Sequence, residues 1–262
     1  MSQELPMKDE EIEEVEKILG YKFCNKELVK EALLHPNYYP TRPCVSYDRL
    51  ALFGDSVLNL LITKNMFFTY QTASKGVLTR LRGANVDNDK LARVAVKLGL
   101  YKYLYHKDTH LQETISEFER KILDHPLHSN GLVNTPKFLA DIVESLIGAV
   151  FVDSNCSLDI TWKVFKGLLE PTICLETLRT HPVSELHELC QKKGSKVEIV
   201  NNSWRGNMAM EVLIDSNLVG SASYGMKKVI AKNMAAKAAL DNLNSMLSRT
   251  STTSSSSDES SF

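Results

Sequence analysis

The residues of this chain best suited to chemistry are carboxylates set in otherwise apolar helical stretches. In DRLALFGDSVLNLLI, Asp55 is surrounded in sequence by Leu50, Leu52, Phe53, Val57, Leu58 and Leu61. Asp48, Ala51, Asp55 and Asn59 recur at three- and four-residue steps, which places them on one helical stripe. In FLADIVESLIGAV, Asp141 and Glu144 stand one turn apart on a shared face. Burying a carboxylate is costly unless it is paired, hydrogen-bonded or bound to metal. Two helices with inward carboxylates offer the hard oxygen donors that Mg2+ takes. A lone acid such as Asp55 is more often salt-bridged than metal-bound, with Arg80, Arg82 and Arg93 as available partners. It is the conjunction of both acid-bearing helices that points to metal. Gly54 weakens a helix, so another backbone or a substrate is expected to approach there. Asp48 is also accounted for as an acid near a helix N-terminus, where the dipole favours it.

The elements carrying these acids read as helix by periodicity. EEIEEVEKILG places Ile12, Val15, Ile18 and Leu19 on one stripe, with Gly20 as a stop. NKELVKEALLH follows, then a Pro- and Tyr-rich loop, then a long helix expected from about Asp48 to Tyr70. KGVLTRLRGANVDNDKLARVAVKLGL predicts two helices broken near Gly83 to Asp89. PKFLADIVESLIGAVFVDS is apolar almost all round, and LDITWKVFKGLLEPT is expected to close the region. The reading is an all-helical domain over residues 10–172.

After Pro182 the pattern changes. SELHELCQKKG predicts a short helix; KVEIVNN, NMAMEVLID and LVGSASYG predict three strands. MKKVIAKNMAAKAALDNLNSML predicts a closing helix. This α-β-β-β-α order defines a small α+β domain over 180–247, followed by a Ser/Thr-rich tail over 248–262 expected to be disordered. Between His181 and Leu247 there are eight Lys and Arg against six Asp and Glu, a slight cationic surplus.

The bulk composition restricts the remaining classes. With 31 Lys+Arg against 32 Asp+Glu, the 262-residue chain lacks the strong basic excess that would itself announce a nucleic-acid partner. Five scattered cysteines without a C-x-x-C pair argue for a reducing compartment and against a zinc module. The acidic start resembles neither a secretory signal nor a transit peptide, and no apolar run approaches the roughly 18 residues of a membrane span. The expectation is a protein of the nucleus, the cytoplasm or both, without a membrane partner. No H-E-x-x-H, phosphate-loop or dinucleotide fingerprint occurs.

The motifs, in order, are similar to those of the ribonuclease III family. YDRLALFGDSVLNLLI resembles its signature, roughly N-E-R-L-E-F-L-G-D-[SA]-V-L, and FLADIVESLIGAVFVD resembles its second acidic motif. ILGYKFCNKELVKEALLHPNY and GVLTRLRGANVDNDKLARVA resemble its opening and intervening segments. The overall look is that of plant ribonuclease III-like proteins with a single catalytic domain. The resemblance implies a homodimeric, metal-dependent endonuclease that hydrolyses phosphodiester bonds of double-stranded RNA. It makes Asp55 and Glu144 catalytic, and Asp55, Asp141 and Glu144 ligands of Mg2+ or Mn2+. Asp48 becomes an outer acid, and Lys137 a supporting residue near the scissile phosphate. One departure bears on activity: Ala51 stands where the family carries a metal-binding Glu. The competing expectation is therefore a catalytically impaired relative acting as a double-stranded-RNA-binding or scaffold protein.

The C-terminal module resembles a double-stranded-RNA-binding domain, most specifically through KKVIAKNMAAKAAL. Lysines at a helix N-terminus add charge to the dipole and amides facing phosphate. The resemblance implies RNA contacts by Glu185, His187 and Gln191 from the first helix, Arg205 from the loop, and Lys227, Lys228 and Lys232 from the last helix. Val229 departs from the paired lysine of the pattern, and SWRGN replaces the usual G-P-x-H loop. Weaker duplex affinity is expected.

Overall fold

A computed structural model describes residues 5–41, 45–201, 206, 208–225 and 227–253, with side chains described through residue 246. It divides into two compact units, Met1–His128 with Thr135–Leu178, and Ser129–Asn134 with Arg179–Phe262.

The first unit is helical: α1 (Asp9–Leu19), α2 (Lys26–Ala32), α3 (Asp48–Thr69), α4 (Lys75–Val86), α5 (Asn88–Lys97), α6 (Leu111–Ile122), α7 (Lys137–Asp153) and α8 (Leu158–Leu168). Local chemistry sets many of the ends. Gly20, at φ 64°, closes α1 in the left-handed region that costs glycine little. Asn25 and Ser74 cap α2 and α4 through their side chains. The break between α4 and α5 falls at extended Asp87, whose carboxylate accepts the Lys90 N–H at 2.9 Å. A stretch not singled out by its pattern, LQETISEFERKI, forms α6 and buries Leu111, Ile115 and Phe118.

The centre of this unit is α7, with α3 and α5 packed along it and α2 and α8 beside it. Its apolar circumference is buried from Leu139 to Val150, apart from half-buried Glu144. Each fully buried aliphatic side chain contributes about 1.5–3 kcal/mol of transfer free energy, so this helix anchors the core. At its end Asp153 accepts hydrogen bonds from Tyr21 Oη (2.7 Å), Cys24 N (2.9 Å) and Asn25 N (2.8 Å), tying α7 to the α1–α2 loop.

α3 is apolar on two faces. Leu50, Val57, Leu58, Leu61, Ile62 and Met66 are buried. Leu52 and Phe53, neighbours of Asp55 in sequence, lie on the surface with Leu60, Phe67 and Phe68. A helix can turn only one stripe toward a single neighbour, and α7 takes the Leu50–Leu58 side.

The second unit has α9 (Pro182–Lys193), strands β1 (Val197–Val200), β2 (Ala209–Ile214) and β3 (Asn217–Ser223), and α10 (Lys228–Thr253). The sheet is antiparallel in the order β1-β2-β3, with Val197 opposite Ile214 and Ala209 opposite Ser223. Asp215 and Ser216, at φ 49° and 69°, make the tight turn between β2 and β3, the backbone a two-residue hairpin demands. Ala231, Ala235, Ala236 and Ala239 pack on Met210 and Val212, with Leu186 and Cys190 from α9 completing the core. A Cβ on Gly220 would lie 2.6 Å from the Ala235 carbonyl oxygen. The alanines and this glycine thus let helix and sheet approach closely.

α10 runs through Thr253, since nothing between Ala231 and that point breaks a helix; residues 254–262 of the Ser/Thr-rich tail lie outside the described residues. The second unit also recruits Ser129–Asn134, a segment assigned by linear reading to the helical domain.

Candidate metal centre and nucleic-acid interface

The two acid-bearing helices meet through glycine. A Cβ on Gly54 would stand 1.8 Å from the Glu144 carbonyl oxygen, and one on Gly148 would stand 2.2 Å from that of Leu50. The expected close approach at Gly54 is therefore made by the backbone of α7. Asp55, the next residue on α3, and Glu144 on α7 are brought near enough for their charges to interact.

Burial first, then the Asp55 and Asp141 charges, push the Glu144 carboxyl up to about 7, against the smaller opposing pull of Lys137. Asp55 is half-buried and accepts a hydrogen bond from Asn59 Nδ2 at 2.8 Å. Of the arginines available to it, Arg93 lies instead on Asp89. Asp141 is buried; Lys137, one turn earlier, puts its ammonium on Oδ1, and Tyr47 Oη donates to Oδ2 at 3.4 Å. Burial opposes the Lys137 charge, but the bond to Asp141 and the charges of Asp141, Glu144 and Asp48 outweigh it and raise its pKa. The Tyr47 phenol is pushed far up by burial and by Asp141 and Asp48, so it remains a hydroxyl donor. Asp48 is exposed at the start of α3 and accepts from Ser46 Oγ at 3.1 Å.

Ala51 lies on α3 one turn before Asp55 and is only 5% exposed. A methyl group at that position supplies no ligand. Among the described residues, no three His, Cys, Asp or Glu side chains converge as a ready cation cage. The oxygen chemistry still suits a hard cation. Mg2+ commonly takes one or two protein carboxylates, with water and substrate phosphate completing its shell. Burial first, and then the neighbouring Asp55 and Asp141 charges, lift Glu144; a divalent ion would relieve the crowding of these charges. Asp55, Asp141 and Glu144 thus fit an incomplete site rather than a closed one.

Tyr47 and Ser46 belong to this neighbourhood and were not identified from sequence. Tyr47 directly precedes Asp48, which was the available signal, but its hydroxyl meets Asp141 only because α3 and α7 cross. Asn59 was visible on the acid stripe; its role in holding Asp55 emerges from geometry.

In the second unit, Glu185, His187 and Gln191 are exposed along α9. Lys227 and Lys228 are exposed at the start of α10, and Lys232 is half-buried one turn later. Lys227 Nζ donates to Asn134 Oδ1, and buried Asn233 donates to the Gly131 carbonyl at 2.8 Å. Val229, in place of the second lysine of the pattern, is 71% exposed beside Lys228. Arg205 lies outside the described residues.

Residues 48–155 match the Ribonuclease III domain family, and residues 182–243 match the double-stranded RNA binding motif. The chain is 51% identical over 248 residues to ribonuclease 3-like protein 3 of Oryza sativa subsp. japonica, covering 94% of this chain and 83% of that protein. It is 42% identical over 243 residues to ribonuclease 3-like protein 2 of Arabidopsis thaliana, covering 89% of this chain and 60% of that protein. The nuclease domain of a Campylobacter jejuni ribonuclease III superposes with a TM-score of 0.49 at 25% identity, covering 62% of this chain and 97% of the domain.

Proposed function

Because the chain belongs to the ribonuclease III family, we propose that it is an endoribonuclease hydrolysing phosphodiester bonds of double-stranded RNA with Mg2+ or Mn2+. The observation that carries this reading is the raised Glu144 carboxyl, crowded by Asp55 and Asp141 on helices held together by glycine. Perturbed titration from burial and named charges is characteristic of reactive sites. Glu144, Asp55 and Asp141 would hold the cation, which when bound polarises phosphate and neutralises developing negative charge.

The protein's own groups have separable tasks. Asn59 fixes the Asp55 carboxylate, and Tyr47 and Lys137 fix Asp141. With its carboxyl near 7, Glu144 can hold or release a proton at neutral pH. Lys137, 72% exposed along its side chain, would meet a phosphate on leaving Asp141. Duplex RNA would be engaged by Glu185, His187 and Gln191 on α9 and by Lys227, Lys228 and Lys232 on α10, through 2′-hydroxyls and phosphates respectively. Phe53, Leu60 and Phe67, at seven-residue steps along α3, expose an apolar stripe. A stripe of this kind suits a protein interface, and a second copy of the chain is the proposed occupant. Unpaired Cys24, Cys156, Cys174 and Cys190 support a reducing location, nucleus or cytoplasm, and no helix among the described residues is long and apolar enough to cross a membrane.

Ala51 supports a second reading, a double-stranded-RNA-binding protein of the same fold with impaired catalysis. Incubating the purified chain with long duplex RNA and Mg2+ or Mn2+ separates the two. Cleavage that Glu144→Gln abolishes supports the nuclease. Cleavage that begins only after Ala51→Glu supports the RNA-binding reading for the natural chain.

A further inference from the structure

A second chemically distinct place lies in the helical unit away from the acids. Parts of α5, the end of α6 with the segment after it, and Glu170–Pro171 line an open cavity of about 320 Å³, the lower end of the range for ligand pockets. Its apolar wall includes Val94, Ile122 and Leu127, and three cations, Lys90, Arg93 and Lys97, also line it.

Neutral carbonyls occupy two of these cations. Lys90 Nζ donates to the Pro171 carbonyl, and Lys97 Nζ to that of Glu170 at 2.8 Å. Arg93 is largely buried, with Nε on Asp89 and Nη1 on the His125 carbonyl at 2.5 Å. Its Nη2 is buried without a hydrogen-bond partner among the described residues. The Glu170 carboxylate, also at this cavity, is turned to the Thr172 N–H and hydroxyl, at 2.6 and 2.9 Å. Buried guanidinium nitrogens are normally satisfied, so the orphan Nη2 calls for an acceptor.

We propose that this cavity binds a small amphipathic carboxylate. Its oxygens would be taken by Lys97 and Lys90, beside the buried positive charge of Arg93, and its hydrocarbon body by Val94, Ile122 and Leu127. The apolar wall favours a singly charged carboxylate over a phosphate, whose stronger hydration would be lost without replacement. Burial, joined by the Lys97 and Arg93 charges, pulls the Lys90 amine down to about 8 despite Glu170 and Asp87. An anion there would raise it again and hold the ammonium to higher pH.

Calorimetric titration of the full chain with octanoate, octanol and inorganic phosphate tests this without reference to RNA cleavage. Octanoate should bind saturably at one site, with octanol and phosphate each at least about tenfold weaker, as the loss of charge-assisted hydrogen bonds requires. Lys97→Met should weaken octanoate about tenfold, and Leu127→Trp, with an unchanged circular dichroism spectrum, should fill the cavity and abolish binding. Absence of octanoate binding at millimolar concentration overturns the proposal. So does octanol binding equally well, or Lys97→Met retaining full affinity. Tighter binding of phosphate or of a short RNA duplex, lost in Lys97→Met, overturns it by assigning the cations to nucleic acid.

Discussion

Gly54 of α3 packs against the backbone carbonyl of Glu144, so closely that a Cβ would lie 1.8 Å from that oxygen. Gly148 returns the arrangement against Leu50. The pair lets two helices touch backbone to backbone, and that contact puts Asp55 beside Glu144. Packing and the proposed chemistry therefore share one set of residues.

Gly54→Ala should destabilise the chain by at least about 1–3 kcal/mol, the range for overpacking a core, because backbone, not a flexible side chain, must move. Gly83 is the control. An added Cβ there meets nothing within 4 Å, and Gly83→Ala inside α4 should stabilise by roughly 0.5–1 kcal/mol. Urea unfolding midpoints measure both, and equal midpoints for the two variants would contradict the packing described.

The Glu144 carboxyl binds its proton more tightly folded than unfolded, since its value rises from 4.5 to about 7. Its contribution to stability is then fully present below pH 4.5 and is lost as pH rises through about 7. Glu144→Gln removes that loss. In metal-free buffer the variant should gain about 1–2 kcal/mol on the natural chain between pH 5 and pH 8, after allowance for partial screening of a half-buried group. Thermal unfolding across pH reads the difference. A gain that persists unchanged in saturating Mg2+ would count against cation binding at Glu144.

Val229 is exposed at the start of α10, where its hydrocarbon contributes nothing to phosphate binding. Val229→Lys should tighten binding to duplex RNA and steepen the dependence of log affinity on log salt by about 1, one added phosphate contact. Fluorescence anisotropy over a salt series gives the slope. An unchanged slope would place the duplex on another face of the module.

Leu60 is 51% exposed in the middle of the apolar stripe of α3. Leu60→Asp buries no charge in the monomer, so circular dichroism should be unaltered, whereas a charge at a self-association surface should dissociate it. Sedimentation equilibrium should give a dimer for the natural chain and a monomer for the variant. A natural chain that is already monomeric would remove the stripe as a dimer surface.

What could be read from sequence was local. The helix over Asp48–Thr69, the break between α4 and α5, and the shared face of Asp141 and Glu144 follow from periodicity and capping within a few residues. The succession of three strands and the Ala-rich closing helix follow equally from short-range pattern, as does the family from its ordered motifs. Tertiary structure decided what needs a second element. Leu52 and Phe53 share the hydrophobicity of Leu50 and Leu58, and only the position of α7 sends one pair inward and the other to solvent. Tyr47 reaches Asp141, and Asn134 and Gly131 join α10, across long separations in the chain. The acids of α3 and α7 were visible one helix at a time. Whether they crowd one another depends on interhelical distance, and that distance is set by two glycines meeting opposing backbone.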